Sequence, residues 1–268
     1  MIAQLSRSNE AAALEYLSRE PILNVFLDYV IVHDTPARKN VAVVLDGDRV
    51  DGVIHSGRSL VVAAEPRAIG ELAEYLRRRR GERMIVGPRD QVRALWERMR
   101  EWHDPPRLVR DRQLVMAVDR ASLRPYERLT EVRYARIDES NAIADGSAEM
   151  VRQELDYDPR RGAPEFRAGI RQMIERRLWW VGTAEGRICF LCNIGPWSEK
   201  TIQLQGIWTP PELRGRGLAT ASLAAICDRL LEVAPVISLY VNDFNDTAIA
   251  LYDRVGFDRT GEFQTLLF

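Results

Sequence analysis

The sequence predicts an α/β protein built from two similar halves, each a mixed (α+β) sheet flanked by helices. Three observations support this fold class. The chain has 268 residues, 46% of them apolar, which is enough for two small cores. Stretches with helix periodicity and strand periodicity alternate along the chain. Their order in residues 1–120 recurs in residues 126–268, so we predict two domains with these bounds and a linker within 119–130.

The N-terminal half is predicted to contain two helices, three strands, a helix, a strand, a helix and a closing strand. The turn Asp46-Gly47-Asp48-Arg49 joins the first two strands, and Pro66 stands where a proline can open a helix. The predicted helices are 8–18, 22–32, 66–80 and 89–100, and the predicted strands are 41–45, 50–55, 59–64, 83–86 and 108–118.

The C-terminal half repeats this order after an opening strand. Its predicted helices are 138–153, 164–177, 216–233 and 246–255, and its predicted strands are 132–136, 179–183, 187–193, 201–209, 236–241 and 261–267. The halves differ at one point. A loop at 210–215 separates a strand from a helix in the C-terminal half, whereas the equivalent N-terminal strand, ending at Ala64, runs almost directly into the helix at Pro66.

Composition narrows the functional classes. A net charge of −1 argues against a general binder of nucleic acid or membrane surfaces, and no apolar run approaches the ~20 residues of a membrane span. The three histidines lack metal-ligand spacing, so no metal is expected. Three cysteines fit a reducing cytoplasm. Cys189 and Cys192 are three apart on a predicted strand and so point to opposite faces, which favours buried side chains over a redox pair.

The loop 209–219 reads TPPELRGRGLA and leads from a strand into a long helix. A helix N-terminus presents unpaired N–H groups and a partial positive charge, so it can bind phosphate oxygens. Gly215 and Gly217 would let a phosphate approach the backbone, and Arg214 and Arg216 add charge. Taken alone, the loop could equally be an ordinary strand–helix turn in an arginine-rich protein.

Two motifs together are more specific. Arg214, Gly217 and Ala219 fit the pattern [Q/R]-x-x-G-x-[G/A]. A second motif follows, with Asn245, Ala248, Leu251, Tyr252, Gly256 and Phe257. On these residues the sequence over 130–268 resembles the GCN5-related N-acetyltransferase (GNAT) superfamily. The N-terminal half resembles a degenerate GNAT repeat by element order only. The resemblance implies a tandem GNAT protein in which each half is a mostly antiparallel twisted sheet flanked by helices.

The resemblance implies acetyl-CoA as co-substrate, bound in the C-terminal half. The splayed strand 207–209 would pair with pantetheine amides, the loop would hold the pyrophosphate, and Asn245 would contact pantetheine or hold the splayed strands. The cofactor-binding residues implied in this way are Ile207, Trp208, Thr209, Arg214, Gly215, Arg216, Gly217, Leu218, Ala219, Thr220 and Asn245.

The resemblance also implies direct transfer, in which a neutral primary amine attacks the thioester while both substrates are bound. Tyr252 would be the catalytic residue and would protonate the departing thiolate, and a backbone N–H near Trp208 would stabilise the oxyanion. Asn245 and Tyr252 are seven residues apart and therefore share a helix face. A packed aromatic residue remains the alternative for Tyr252, and a structural role is expected for Gly256 and Phe257.

The general base is left open by the sequence. Many GNAT members carry a glutamate on the strand before the loop, where this chain has Gln203 and Gln205, which cannot accept a proton. The alternatives are Glu149, Glu154, Asp156, the carboxylate of Phe268 or a water chain. The acceptor is expected at 154–157, Trp179-Trp180 and 193–197, where acidic residues adjoin aromatic ones.

Three functions compete. An N-acyltransferase, most simply an acetyltransferase, is favoured by both motifs. An acyl-CoA-binding regulator or pseudoenzyme is favoured by the missing strand glutamate and disfavoured by Tyr252. An aminoacyl- or other transferase with a different donor is disfavoured by the intact pyrophosphate loop. The acceptor amine, on a small molecule or a protein, stays open, and the sequence does not specify an oligomeric state.

Overall fold

In the computed structural model, which describes residues 1–79, 81–155, 157–161 and 164–268, the N-terminal half alternates strands and helices. The strands are β1 (Ile2–Gln4), β2 (Val41–Asp46), β3 (Arg49–Ser56), β4 (Ser59–Ala64), β5 (Met84–Pro88) and β6 (Leu108–Asp119). The helices are α1 (Glu10–Leu17), α2 (Val25–His33), α3 (Thr35–Arg38), α4 (Ile69–Leu76) and α5 (Arg89–Met99).

The C-terminal half follows with the same alternation. Its strands are β7 (Glu131–Tyr134), β8 (Trp179–Ala184), β9 (Arg187–Trp197), β10 (Thr201–Trp208), β11 (Val236–Asn242) and β12 (Asp258–Leu267). Its helices are α6 (Ser140–Leu155), α7 (Pro164–Glu175), α8 (Leu218–Leu230) and α9 (Asp246–Val255). Two elements of the N-terminal half, β1 and α3, were not predicted.

The side chains explain the local structure. The strand β2 is rich in β-branched residues and is buried along most of its length, as expected of a strand covered on both faces. In α4 the buried residues Ile69, Leu72, Ala73 and Leu76 have the spacing of one helix face. Gly256, with φ 110°, ends α9, and Phe257 after it is buried, which confirms the structural roles predicted for both.

All twelve strands of the described residues form one sheet, in the order β1-β2-β3-β4-β5-β12-β6-β11-β10-β9-β8-β7. Each half therefore sends its last strand into the other half. The strand β12 pairs antiparallel with β5 and β6, and β6 pairs antiparallel with β11. The predicted fold class, a mixed and mostly antiparallel sheet flanked by helices, is confirmed. The exchange of closing strands was not predicted.

The exchanged strands also complete the cores of the opposite half. Leu114, Met116 and Val118 of β6 are buried in the main core of the C-terminal half. Phe263 and Leu266 of β12 are buried in the two cores of the N-terminal half. The apolar surfaces of the two halves are thus mutually dependent. The domain bounds 1–120 and 126–268 therefore remain a prediction that describes the two repeats in the sequence.

We expect the fragment 126–268, expressed alone, to lack a cooperative unfolding transition. Without β6, the strands β11 and β12 lose the neighbour that lies between them, and the core loses three buried aliphatic side chains. Each loss of that kind costs about 2–5 kcal/mol. Thermal unfolding followed by circular dichroism measures this, and the longer fragment 104–268, which restores β6, is the control. A sharp transition in the shorter fragment would contradict the expectation.

No helix in the part of the chain that the structure describes has both the length and the apolar character needed to cross a bilayer.

Candidate active site

A cleft of about 760 Å³ opens in the C-terminal half, between β10 and the helices α8 and α9. It is a size typical of ligand sites. The structure brings the predicted catalytic tyrosine and all of the predicted cofactor-binding residues to this one cleft, namely Ile207, Trp208, Thr209, Arg214, Gly215, Arg216, Gly217, Leu218, Ala219, Thr220, Asn245 and Tyr252. Their individual roles stay predictions.

The cleft exists because β10 and β11 separate. They are paired in parallel only at Thr201–Gln203, whereas β11 stays paired with β6 as far as Asn242. The strand β10 bends at Gly206, which has φ +62°, and an added Cβ there would clash with Asn193 Oδ1. Beyond this bend, the ladder with β11 leaves Ile207 and Trp208 unpaired on the side of the cleft.

The loop after β10 forms an anion-binding geometry. Gly217 has φ +76° and is the N-cap of α8, with no side-chain cap. Because the first intrahelical bond runs from Ala221 N–H to Gly217, the N–H groups of 215–220 donate to no acceptor in the described chain. The Nε of Arg214 donates to the carbonyl oxygen of Thr209 at 3.1 Å and ties the loop to the strand end.

Asn245 and Tyr252 lie on α9, opposite the loop. The Oδ1 of Asn245 accepts a hydrogen bond from Ala248 N–H at 3.2 Å, so this side chain caps the helix as well as lining the cleft. Tyr252 is only 6% exposed. Burial, with a smaller effect from the negative charge of Glu154, raises the pKa of the Tyr252 hydroxyl. The hydroxyl is therefore protonated at neutral pH and can act as a proton donor.

Sequence reasoning missed several residues that line the cleft, chiefly Arg110, Asn242 and Phe244. Arg110 lies on β6 and thus comes from the N-terminal half. No sequence signal separates Arg110 from Arg112 two residues later on the same strand, and its position at the cleft depends on the strand exchange. Gln113, which donates to Asn242 Oδ1 at 3.0 Å, further joins β6 to the site.

The candidate bases differ in their surroundings. Arg152, 2.6 Å away, lowers the pKa of Glu149 to about 2, so that residue is a poor base. Glu154 lines the cleft, and desolvation raises its pKa, an effect that the nearby Arg110 opposes. Phe268 packs against His103 in the N-terminal half, outside the lining of the cleft. Asp156 lies outside the described residues.

The expected acceptor region needs a correction. Trp179 and Trp180 are 2% and 3% exposed and belong to the cores, so neither can touch an acceptor. Trp197 packs against Tyr29 of α2, with ring centroids 4.5 Å apart. Among the described residues of the three expected segments, only Glu154 lines the cleft. Paired tryptophans on a strand fit a core as well as a binding surface, which is why the pattern misled.

All three cysteines are free and buried, which confirms the prediction of burial made for Cys189 and Cys192. Burial raises the pKa of the Cys192 and Cys227 thiols, so neither provides a thiolate nucleophile at neutral pH. No cluster of three or more metal-ligating side chains is found in the residues that the structure describes.

The N-terminal half has a smaller cavity, of about 430 Å³, at the equivalent strand end. As in the C-terminal half, its two parallel strands pair at only three positions. This cavity differs from the C-terminal cleft at the end of β4. There the Oε1 of Gln91 accepts a hydrogen bond from Ala64 N–H at 2.9 Å, and a short 3-10 turn begins at Pro66. The backbone N–H of Ala64 is therefore already bonded to the Gln91 side chain and is not available to a ligand.

The C-terminal half thus combines splayed strands, a helix N-terminus with unbonded N–H groups and a buried tyrosine on one cleft. In a comparison with known families, residues 148–257 match the Acetyltransferase (GNAT) family, and residues 40–143 match a domain of unknown function, DUF4081. The predicted GNAT resemblance is confirmed, and the C-terminal half is a GNAT domain. No curated protein matches the sequence.

Solved structures share the fold over the whole chain. A Drosophila protein is 12% identical with a TM-score of 0.70, and the match covers 100% of this chain and 98% of that one. A GNAT-family acetyltransferase from Colwellia psychrerythraea is 10% identical with a TM-score of 0.59, covering 100% and 99%. A tandem GNAT protein from the clavulanic acid biosynthesis pathway is 14% identical with a TM-score of 0.59, covering 100% and 98%. The chain therefore has a tandem GNAT fold.

Proposed function

We propose that the protein is an N-acyltransferase that moves an acetyl group from acetyl-CoA to a primary amine. The observation that carries this proposal is the convergence of the free N–H groups of 215–220, the unpaired end of β10 and the buried Tyr252 on one cleft. The free thiols suit a cytoplasmic setting. The acceptor amine belongs to a small molecule or a protein.

The residues present fit acetyl-CoA, which would supply an activated acyl group. The N–H groups at the start of α8, with Arg214 and Arg216, would hold the pyrophosphate oxygens. The unpaired backbone at Ile207 and Trp208 would pair with the pantetheine amides. Side chains at Gly215 and Gly217 would need a left-handed backbone conformation, which explains glycine at both positions.

The proton-transfer roles follow from the surroundings of two side chains. The Glu154 carboxylate would take a proton from the acceptor ammonium. Desolvation raises the pKa of this carboxyl group, which makes it a stronger base than an ordinary glutamate. The Tyr252 hydroxyl would donate a proton at the departing sulfur. A backbone N–H near Trp208 would polarise the acyl oxygen. No covalent enzyme intermediate is required, in keeping with the buried cysteines.

A regulator that binds acyl-CoA without catalysis is the second candidate. It is favoured by Gln203, which is buried on β10 where many family members carry a glutamate. The two functions share the cofactor cleft and differ only in turnover. Release of free CoA that depends on an added primary amine would separate them.

We expect calorimetry to give one acetyl-CoA per chain. The C-terminal cleft offers free donors, whereas Gln91 blocks the equivalent donor in the N-terminal half. Titration of the full chain measures the stoichiometry. A Gln91→Ala variant is the control and should leave it at one, because the N-terminal strand still lacks the glycine loop. Two equivalent sites in the unmodified chain would contradict the asymmetry.

A further inference from the structure

We propose that Arg110 binds a carboxylate of the acceptor, so that the substrate is a free amino acid or a related amine with a nearby carboxylate. This inference rests on the proposed acyl transfer and specifies its acceptor. It also gives the N-terminal half a direct part in the site, because Arg110 belongs to β6.

Arg110 is a buried cation that forms no ion pair within the described part of the chain. It is 8% exposed, lines the cleft, and has no carboxylate within 4.0 Å among the described residues. Its Nη2 donates to the backbone carbonyl of Glu154 at 2.7 Å, and its guanidinium carbon lies 5.8 Å from the centroid of the Phe244 ring. These contacts fix the side chain without an ion pair in the described residues, and a buried cation of this kind is stabilised when a ligand supplies an anion.

The Glu154 side chain completes a pair of opposite charges. Although Arg110 binds the backbone of Glu154, the two side chains form no ion pair in the described chain. Both line the same cleft, which also contains Tyr252. A positive group and a negative group that line one cleft without forming an ion pair are complementary to a zwitterion. The ammonium would lie at Glu154 and the carboxylate at Arg110, which can bind it in a bidentate manner.

The reaction balances with the groups already named. The acceptor ammonium loses one proton to Glu154, and the neutral amine then forms the new N–C bond. The C–S bond breaks as the sulfur takes a proton from Tyr252, and the second proton lost by the nitrogen restores the Tyr252 hydroxyl, so the products are the amide, free CoA and one proton on Glu154. The acceptor carboxylate is unchanged throughout. Arg110 is therefore a specificity residue that holds the acceptor, and it moves no proton.

The test compares acceptors that differ only in the carboxylate. Acetyl transfer from acetyl-CoA is measured for a panel of free amino acids, each beside its carboxamide and its decarboxylated amine. We expect kcat/KM for the best amino acid to exceed that of its amine by about 10–100-fold, the range for charge-assisted hydrogen bonds. Arg110→Gln should reduce this ratio to near one, and Arg110→Lys should retain part of it. Arg112→Gln is the matched control, because Arg112 lies on the same strand but pairs with Glu262 and does not line the cleft.

The outcomes are distinguishable. Equal turnover of acids and amines, or a preference that survives Arg110→Gln, would overturn this inference and leave acyl transfer standing. A preference for succinyl-CoA over acetyl-CoA with plain amines, abolished by Arg110→Gln, would also overturn it, because the carboxylate would then belong to the acyl group. No turnover of any amine despite acetyl-CoA binding would overturn both proposals. If the variants do not fold, the wild-type comparison of acids with amines still decides.

Discussion

A Gly217→Glu variant will lose acetyl-CoA affinity, with Kd raised at least about 100-fold. The Gly217 residue is the N-cap of α8, so the new carboxylate would lie among the N–H groups that are to hold the pyrophosphate. Repulsion between anions adds to the loss of free space, since an added Cβ already lies 3.3 Å from Leu129 Cδ1. Calorimetric titration of the folded variant with acetyl-CoA measures the change.

The matched control for this variant is Gly186→Glu. Gly186 has φ +74°, close to the +76° of Gly217, and lies in the turn between β8 and β9 with no atom near its added Cβ. Both variants therefore carry the same left-handed strain and the same added charge. Equal loss of affinity in the two would show that the charge acts at long range and that the loop does not hold the phosphates.

A Tyr252→Phe variant will turn over about 10²–10⁴-fold more slowly while its Kd for acetyl-CoA changes little. The hydroxyl contributes when the thiolate leaves, whereas the ring, which is buried, keeps its packing. Steady-state kinetics and calorimetry on the same preparation measure the two effects.

Tyr126→Phe provides the corresponding control. It removes a hydroxyl that donates to Asp228 at 3.2 Å, outside the cleft lining, and should leave turnover nearly unchanged. Unchanged turnover in Tyr252→Phe would assign this tyrosine to packing alone and favour the acyl-CoA-binding regulator.

The sequence predicted most elements of the fold because each has a local signal. The helix 216–233 is an instructive difference, since α8 begins only at Leu218. The left-handed conformation of Gly217 ends the loop there, and periodicity does not register backbone handedness. The exchange of β6 and β12 had no local signal at all. In β6 a polar run precedes an apolar run, and β12 is polar up to Glu262 and ends on two leucines; neither pattern specifies which half provides the partner.

The site residues likewise differ in whether a local sequence pattern reveals them. The loop and the α9 residues were found because their spacing is a property of consecutive sequence. Arg110 was missed because it reaches the cleft through a strand pairing between distant segments. Trp179 and Trp180 were misassigned because aromatic residues serve cores and ligands equally. Glu154 could be selected over Glu149 only when the Arg152 ion pair was visible.

The shared sheet also limits how the protein can move. Continuous hydrogen-bonded ladders join β5 to β12, β12 to β6 and β6 to β11. Hinge bending between the halves would have to break these ladders, whereas tandem domains joined by a linker can rotate freely. If the proposed function holds, ligand entry would use small displacements around the cleft mouth, such as at Phe244, which lines the cleft and is 71% exposed. The continuous sheet would thus hold the two halves in a fixed orientation, and any motion that admits a ligand would be confined to the residues around the cleft.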